Sequence, residues 1–104
     1  MLVNFNTDAS VRGYWGEASS SIEDFCGCCN PSHFAITNDG SFITAEKGIV
    51  RVKKYSQSGK FECAIAGPEH FVEGSIGLDI AISKDNDVFV IEPAAKVVHR
   101  FKLK

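Results

Sequence analysis

One short stretch of the sequence contains most of the residue types that could do chemistry. Three cysteines fall within four positions, at Cys26, Cys28 and Cys29, and His33 follows four positions after the last of them. Clustered thiolates suit zinc, copper(I) or an iron–sulfur cluster, and imidazole is a frequent additional ligand of zinc. The stretch is therefore a candidate metal site, with these three cysteines and His33 as its ligands.

The same cysteines allow two other interpretations. Their spacing differs from that of a zinc knuckle, and adjacent cysteines rarely reach one ion together, so a complete site would need ligands from elsewhere. Cys26 and Cys29 have a spacing compatible with a disulfide, whereas a bridge between Cys28 and Cys29 would be strained. In the third interpretation, small buried cysteines simply pack a tight turn. The fourth cysteine, Cys63, stands alone in a β-type run.

The elements that position this stretch follow from an internal repeat. Shifted by 46 positions, the sequence matches itself without a gap, and the identical pairs include Phe25 and Phe71, Ala35 and Ala81, Ile36 and Ile82, Asp39 and Asp85, Glu46 and Glu92, and Val52 and Val98. A period of about 40–50 residues filled with short β-type runs is typical of a β-propeller blade. We therefore predict an all-β fold made of four-stranded antiparallel blades, with about two blades in this chain.

Turn residues divide each copy into strands. In the first copy, Asn38-Asp39-Gly40 is a strong hairpin signal, and the predicted strands are 34–37, 41–45, 49–55 and 61–66. The second copy has runs at 78–82, 88–91 and 97–103 and lacks a fourth. The runs at 2–5 and 11–15 match the last two strands of a preceding blade. The predicted organisation is thus residues 1–16 as that half-blade, residues 17–67 as a complete blade with the cysteine-rich loop, and residues 68–104 as a second blade without its fourth strand.

The two copies differ where the cysteines lie. Cys26-Gly27-Cys28-Cys29 aligns with Val72-Glu73-Gly74-Ser75, and His33 aligns with Asp79. A structural requirement of the repeat would occur in both copies, so the cysteines are expected to have a local role.

Charged residues also recur in the repeat. Glu46 and Glu92 occur in both copies, which predicts a structural task such as accepting hydrogen bonds from the following turn. Arg51 and Lys53 alternate on one face of the third strand. We expect their stems to pack and their charged heads to be solvated, although they could instead meet an acidic ligand.

Composition excludes some classes of function. The chain has 11 Lys and Arg against 13 Asp and Glu, interleaved along its length, so no basic patch favours a nucleic-acid partner. No apolar run approaches the length of a membrane span, and residues 1–6 lack the features of a signal peptide. The expected location is cytoplasmic if the chain is complete, and periplasmic or secreted if it is a fragment.

The repeat resembles the NHL-type repeats of six-bladed β-propellers. The resemblance rests on Phe34–Thr37, the Asp39-Gly40 turn, Phe42–Ala45, the basic strand Arg51-Val52-Lys53-Lys54-Tyr55, and the turn Ser58-Gly59-Lys60. The stretch 25–33 also looks like that of a bacterial group of NHL-like propellers. In the second copy, Asn86 replaces Gly40, which still allows a left-handed turn, and Pro93-Ala94 replaces Lys47-Gly48. The resemblance implies a propeller fold but not one activity, because propellers include hydrolases, lyases and binding platforms.

The sequence favours a non-enzymatic binding or scaffold module, since it contains no catalytic motif among those with a known mechanism. The alternative is one part of a metal- or redox-dependent propeller enzyme that uses the loop from Cys26 to Cys29. Blades bury their faces only against neighbours, so the expected partners are the remaining blades of a longer protein or further copies of the chain. Three copies would close a six-bladed ring if Val11–Trp15 were donated as the fourth strand beside Val97–Leu103.

Overall fold

The computed structural model describes residues 2–5, 7–15, 22, 31–47, 49–72 and 77–103. Within these residues the chain forms nine β-strands and one short 3-10 turn at Pro68–His70. The strands are β1 (Leu2–Phe5), β2 (Val11–Trp15), β3 (His33–Ile36), β4 (Phe42–Glu46), β5 (Arg51–Tyr55), β6 (Phe61–Ala66), β7 (Asp79–Ile82), β8 (Asp87–Glu92) and β9 (Val97–Lys102).

The strands form three antiparallel sheets in which neighbours in the sequence are neighbours in space. These sheets are β1-β2, β3-β4-β5-β6 and β7-β8-β9. Tight turns connect the strands of each sheet, and short connections favour antiparallel pairing of this kind. The predicted all-β fold with blade-like antiparallel sheets is therefore confirmed.

The 46-residue repeat is also a repeat of strand register. Ala35 lies opposite Ile43 in the first copy, and Ala81 lies opposite Phe89 at the shifted positions of the second. The β3–β4 and β7–β8 turns correspond as well, because Gly40 has a φ of 86° and Asn86 a φ of 62°. Asparagine is among the few residues that adopt this left-handed conformation readily, which explains why it can replace glycine there.

The core lies between the four-stranded and the three-stranded sheet. Its members are apolar side chains that are at most 9% exposed, namely Ile43, Ala45, Val50, Val52, Ala66, Phe71, Leu78, Ile80, Val88 and Val90. At one end the two sheets are joined by polar contacts between turns. The side-chain amide of Asn38 donates to the Lys84 carbonyl (2.7 Å), and the Asn86 side chain accepts from the Asn38 amide (3.1 Å). The two sheets therefore pack face to face across this core and are joined by the turn contacts at one end.

Candidate functional site

Part of the metal site predicted from the sequence falls beyond the described residues. Cys26, Cys28 and Cys29 lie outside them, so their role stays a prediction. His33 is described: it begins β3 opposite Ala45, and its side chain is exposed. Its repeat counterpart Asp79 likewise begins β7 and is exposed. Within the described ranges, no three His, Cys, Asp or Glu side chains are grouped so that they could hold a metal ion.

A buried ionic cluster lies on the four-stranded sheet, on the face opposite the core. Glu46 accepts from the Arg51 guanidinium at 2.7 Å through Oε2, and its Oε1 lies 2.5 Å from Lys53 Nζ. Register explains the meeting, because Glu46 lies directly opposite Arg51 and Lys53 is two residues further along β5 on the same face. Lys53 is 0% exposed and Arg51 5%.

The expectation that the heads of Arg51 and Lys53 are solvated was therefore wrong. The Lys53 ammonium also donates to the Ile22 carbonyl at 3.0 Å and lies 5.3 Å from the Tyr55 ring centroid. A lysine head is buried only where such partners replace its water, and a carboxylate, a carbonyl and an aromatic face do so here. Sequence reasoning missed this cluster, although a recurring glutamate followed by basic residues five and seven positions later was a usable signal.

The three-stranded sheet has a modified version of this cluster. Glu92 lies opposite Val97 instead of an arginine, and His99 occupies the position of Lys53. Glu92 Oε1 lies 2.8 Å from His99 Nε2, and Oε2 accepts from the Val72 backbone amide at 2.6 Å. The predicted structural task of Glu92 agrees with these bonds, which reach β9 and a residue before β7. Glu92 thus ties residues preceding β7 to the sheet that follows them.

Aromatic rings surround the His99 imidazole. Phe101 stacks on it with ring centroids 6.2 Å apart, and Phe71 meets it edge-on at 5.1 Å. The His99 side chain is nevertheless 24% exposed, whereas the Lys53 side chain at the equivalent position is fully buried. The two clusters are therefore equivalent in register but not in their coverage by the rest of the protein.

The β3–β4 turn contains a carboxyl group, that of Asp39, whose pKa is lowered. Asp39 accepts a hydrogen bond from the Thr37 hydroxyl and another from the Ser41 amide at 3.1 Å. These bonds, the Thr37 hydroxyl first, lower the pKa of Asp39 from 3.8 to about 2. Hydrogen bonds to the ionised form of a carboxyl stabilise that form. Because Asp39 is exposed and its bonds are local, its chemistry is that of a turn and not of a substrate site.

Apolar side chains are exposed on two separate faces of the molecule. The outer face of the three-stranded sheet exposes Ile91 (41%) and Val98 (61%), whereas their counterparts Ala45 and Val52 are 0% exposed. On the four-stranded sheet, β3 exposes Phe34 (52%) and Ile36 (57%) on the face that also carries the ionic cluster. We call these the outer face and the β3 face. Large contiguous patches of exposed apolar surface mark interaction sites, so these two faces are candidates for such a site.

A groove of about 410 Å³ runs between the edges of the two sheets. Its walls are β6 with its neighbour Lys54 on one side and the end of β9 on the other, and the lining residues are Lys54, Glu62, Cys63, Ala64, Ile65, Phe101, Lys102 and Leu103. Cys63 is an exposed free thiol in this groove.

Comparison with protein-family models, with curated proteins and with solved structures finds no match to this chain. Among the described residues, no helix has the length and apolar character needed to cross a membrane.

Proposed function

We propose that the protein is a non-enzymatic binding or scaffold module of NHL-like, six-bladed propeller type, whose sheets continue an array by head-to-tail association. The outer face of one copy receives the β3 face of the next. The observation that carries the proposal is the exposure of Ile91 and Val98 at positions whose counterparts are completely buried.

The contact proposed between copies has a template within the chain. Ile80 is the repeat counterpart of Phe34 and is only 9% exposed, because its side of the three-stranded sheet packs on the core face of the four-stranded sheet. The β3 face of the four-stranded sheet is equivalent in the repeat to the side of the three-stranded sheet that carries Ile80. The outer face of the three-stranded sheet is equivalent to the core face of the four-stranded sheet. Each copy therefore presents the outer face and, at β3, the exposed part of the face that would pack on it, as in the interface that it already forms once internally. A head-to-tail contact of this kind forms a ring when its rotation closes.

The energetics favour covering these surfaces. Fully burying a valine, isoleucine or phenylalanine side chain contributes roughly 1.5–3 kcal/mol. Four large apolar side chains, two on each face, are exposed here. Three copies with about two blades each would give the six blades of a closed ring, within the usual range of about 4–8 blades.

The recurring carboxylates support a structural interpretation over a catalytic one. Both oxygens of Glu46 contact basic side chains, and both oxygens of Glu92 contact a histidine or a backbone amide. A carboxylate held in this way is occupied by its neighbours, whereas a general base needs access to a substrate proton.

The proposal is tested by placing a charge on the outer face. Light scattering should give the unmodified, reduced chain the mass of three copies, and Val98→Asp should reduce this to one copy because it would bury an unpaired carboxylate. Lys60→Asp introduces the same side chain at an exposed turn position and should leave the mass unchanged. A single-copy mass for the unmodified chain, or a trimer that tolerates Val98→Asp, would contradict the proposal.

A further inference from the structure

The outer edge of β9 lacks the neighbour that its counterpart has. β9 pairs with β8 along one edge, and no other strand of the described chain pairs with it. Its counterpart β5 pairs with both β4 and β6. The consequence is visible in exposure, since Val97 and Val98 are 44% and 61% exposed where Arg51 and Val52 are 5% and 0%. An unpaired edge presents a row of backbone donors and acceptors to any strand that can align with it.

A groove lies between the end of β9 and β6. It is bounded by Phe101 and Leu103 at the end of β9 and by Cys63 and Ile65 of β6. A strand laid beside β9 would therefore pack one side against β6 while its backbone pairs with β9. Strand addition of this kind derives affinity from backbone hydrogen bonds and specificity from alternate side chains.

The chain contains a strand with the register that this position requires. In the β1–β2 hairpin, Phe5 lies opposite Val11 and Asn4 opposite Gly13, with a bulge between these pairs. In the β5–β6 hairpin, fifty positions later, Tyr55 lies opposite Phe61 and Lys54 opposite Cys63, again with a bulge between them.

The turns of the two hairpins correspond as well. Ala9 has a φ of 71°, and Gly59, also fifty positions later, has a φ of 88°. A left-handed conformation is unusual for alanine, so its presence at the matching position indicates a shared turn geometry. β2 is thus the counterpart of β6. The strands β1, β5 and β9 are counterparts of one another, so each could pair with β2.

We propose that β2 of a second copy leaves its own β1 and pairs antiparallel with β9. By transfer of the β5–β6 register, Val11 lies opposite Phe101, Gly13 opposite Arg100 and Tyr14 opposite His99. This inference rests on the proposed function, because it specifies how neighbouring copies of the module are joined. β2 then gains a partner of six residues in place of one of four.

The order of the strands indicates why β2 comes from another copy. Within the chain, the fourth strand β6 leads directly into β7, the first strand of the next sheet, so a fourth strand belongs to the sheet before the one it leads to. β2 leads into β3 and thus belongs to a sheet that precedes β3–β6. β9 lies in the sheet that follows β3–β6, so we assign the β2 beside β9 to another copy.

A cross-linking experiment tests the register. Chains with Val11→Cys and chains with Phe101→Cys, both also carrying Cys63→Ser, are mixed and mildly oxidised, and the linked peptides are identified by mass spectrometry. Because the two new cysteines are on different chains, their disulfide reports a contact between copies. Val97→Cys is the matched control, since it lies in the same strand and on the same side, about 13 Å from position 101 at 3.3 Å per residue.

We expect the 11–101 disulfide to form at least tenfold more than the 11–97 disulfide. The absence of the 11–101 disulfide, or equal amounts of both, would overturn the proposed register. Phe101 packs against the core, so its replacement could impair folding, and a second measurement uses the unmodified chain.

Amide hydrogen exchange of the unmodified chain, followed as its concentration increases, provides that measurement. The β9 peptide should become at least tenfold more protected as the trimer forms, because its outward amides acquire partners. If the amides of β9 exchange as fast in a trimer as in a single chain, the pairing of β2 with β9 of another copy would be overturned. The proposed face-to-face association between copies would be unaffected by that result. A chain that stays single at all concentrations would overturn both.

Discussion

The four-stranded and three-stranded sheets repeat the same register, but the glutamates at the equivalent positions, Glu46 and Glu92, have different partners. Glu46 holds Arg51 and Lys53 in a fully buried cluster, whereas Glu92 holds a partly exposed His99 and a backbone amide. The sheets also differ in coverage, because β6 covers the outer edge of β5 and no described strand covers that of β9. The comparison indicates that burial of the third strand depends on the strand beside it and on the sheet that packs over it.

The largest expected effect is on the buried cluster. Glu46→Gln should lower the free energy of unfolding by about 3–5 kcal/mol, because it leaves Arg51 and Lys53 buried without their carboxylate. Denaturant unfolding followed by circular dichroism measures this. Glu62→Gln, which removes a partly exposed partner 3.6 Å from Lys54, is the control and should change stability by less than about 1 kcal/mol. Equal effects for Glu46 and Glu62 would show that the buried cluster contributes no more than a surface ion pair.

The equivalent change in the second sheet should have a smaller effect. Glu92→Gln keeps an oxygen that can accept from the Val72 amide and a group that can contact His99. We therefore expect a loss of about 1 kcal/mol in the same unfolding experiment. A loss as large as that of Glu46→Gln would mean that coverage does not distinguish the two clusters.

The effect of this difference in burial on stability can be measured with the two equivalent valines, Val52 and Val98. Val52→Ala should destabilise the protein by about 2 kcal/mol, since it removes two buried methyl groups and leaves a cavity. Val98→Ala, at the equivalent but exposed position, should change the stability of a single chain by at most about 0.5 kcal/mol. Val98→Ala should also weaken association in the sedimentation profile. Its failure to do so would place Val98 outside the interface.

Much of the fold could be predicted from the sequence because its signals are local. The turn at Asn38-Asp39-Gly40 and the alternation after it predicted β4 within one residue, and the left-handed turn allowed by Asn86 is present. The boundaries of β2 and β6 agree with the structure as well. Hairpins of this kind are specified by a few turn residues and by the apolar pattern of the adjoining strands.

The environment of the charged residues could not be predicted in the same way. The alternation of Arg51 and Lys53 along β5 correctly placed them on one face, but it did not show what covers that face. Their burial depends on Glu46 in the neighbouring strand and on the carbonyl of Ile22, which is 31 positions away from Lys53. The cysteine-rich loop remains a prediction for a different reason, because Cys26, Cys28 and Cys29 lie outside the described residues.

The smallest expected effect concerns the β3–β4 turn. The pKa of Asp39 is lowered to about 2, so its ionised form stabilises the fold above pH 3.8, and this contribution is lost as the pH falls through about 2. Thr37→Val removes the first cause of the shift and should raise the Asp39 pKa towards 3.8 in an NMR titration. An unchanged pKa would show that the Thr37 hydroxyl does not stabilise the carboxylate.

The central claim is that the three-stranded sheet is completed and covered by another copy of the chain. The most direct test is the native mass of the purified, reduced protein, measured by light scattering over a hundredfold range of concentration. The account predicts a mass that rises from one copy to three and then stays constant. A mass that remains that of one copy, or that increases without limit, would contradict a closed head-to-tail assembly.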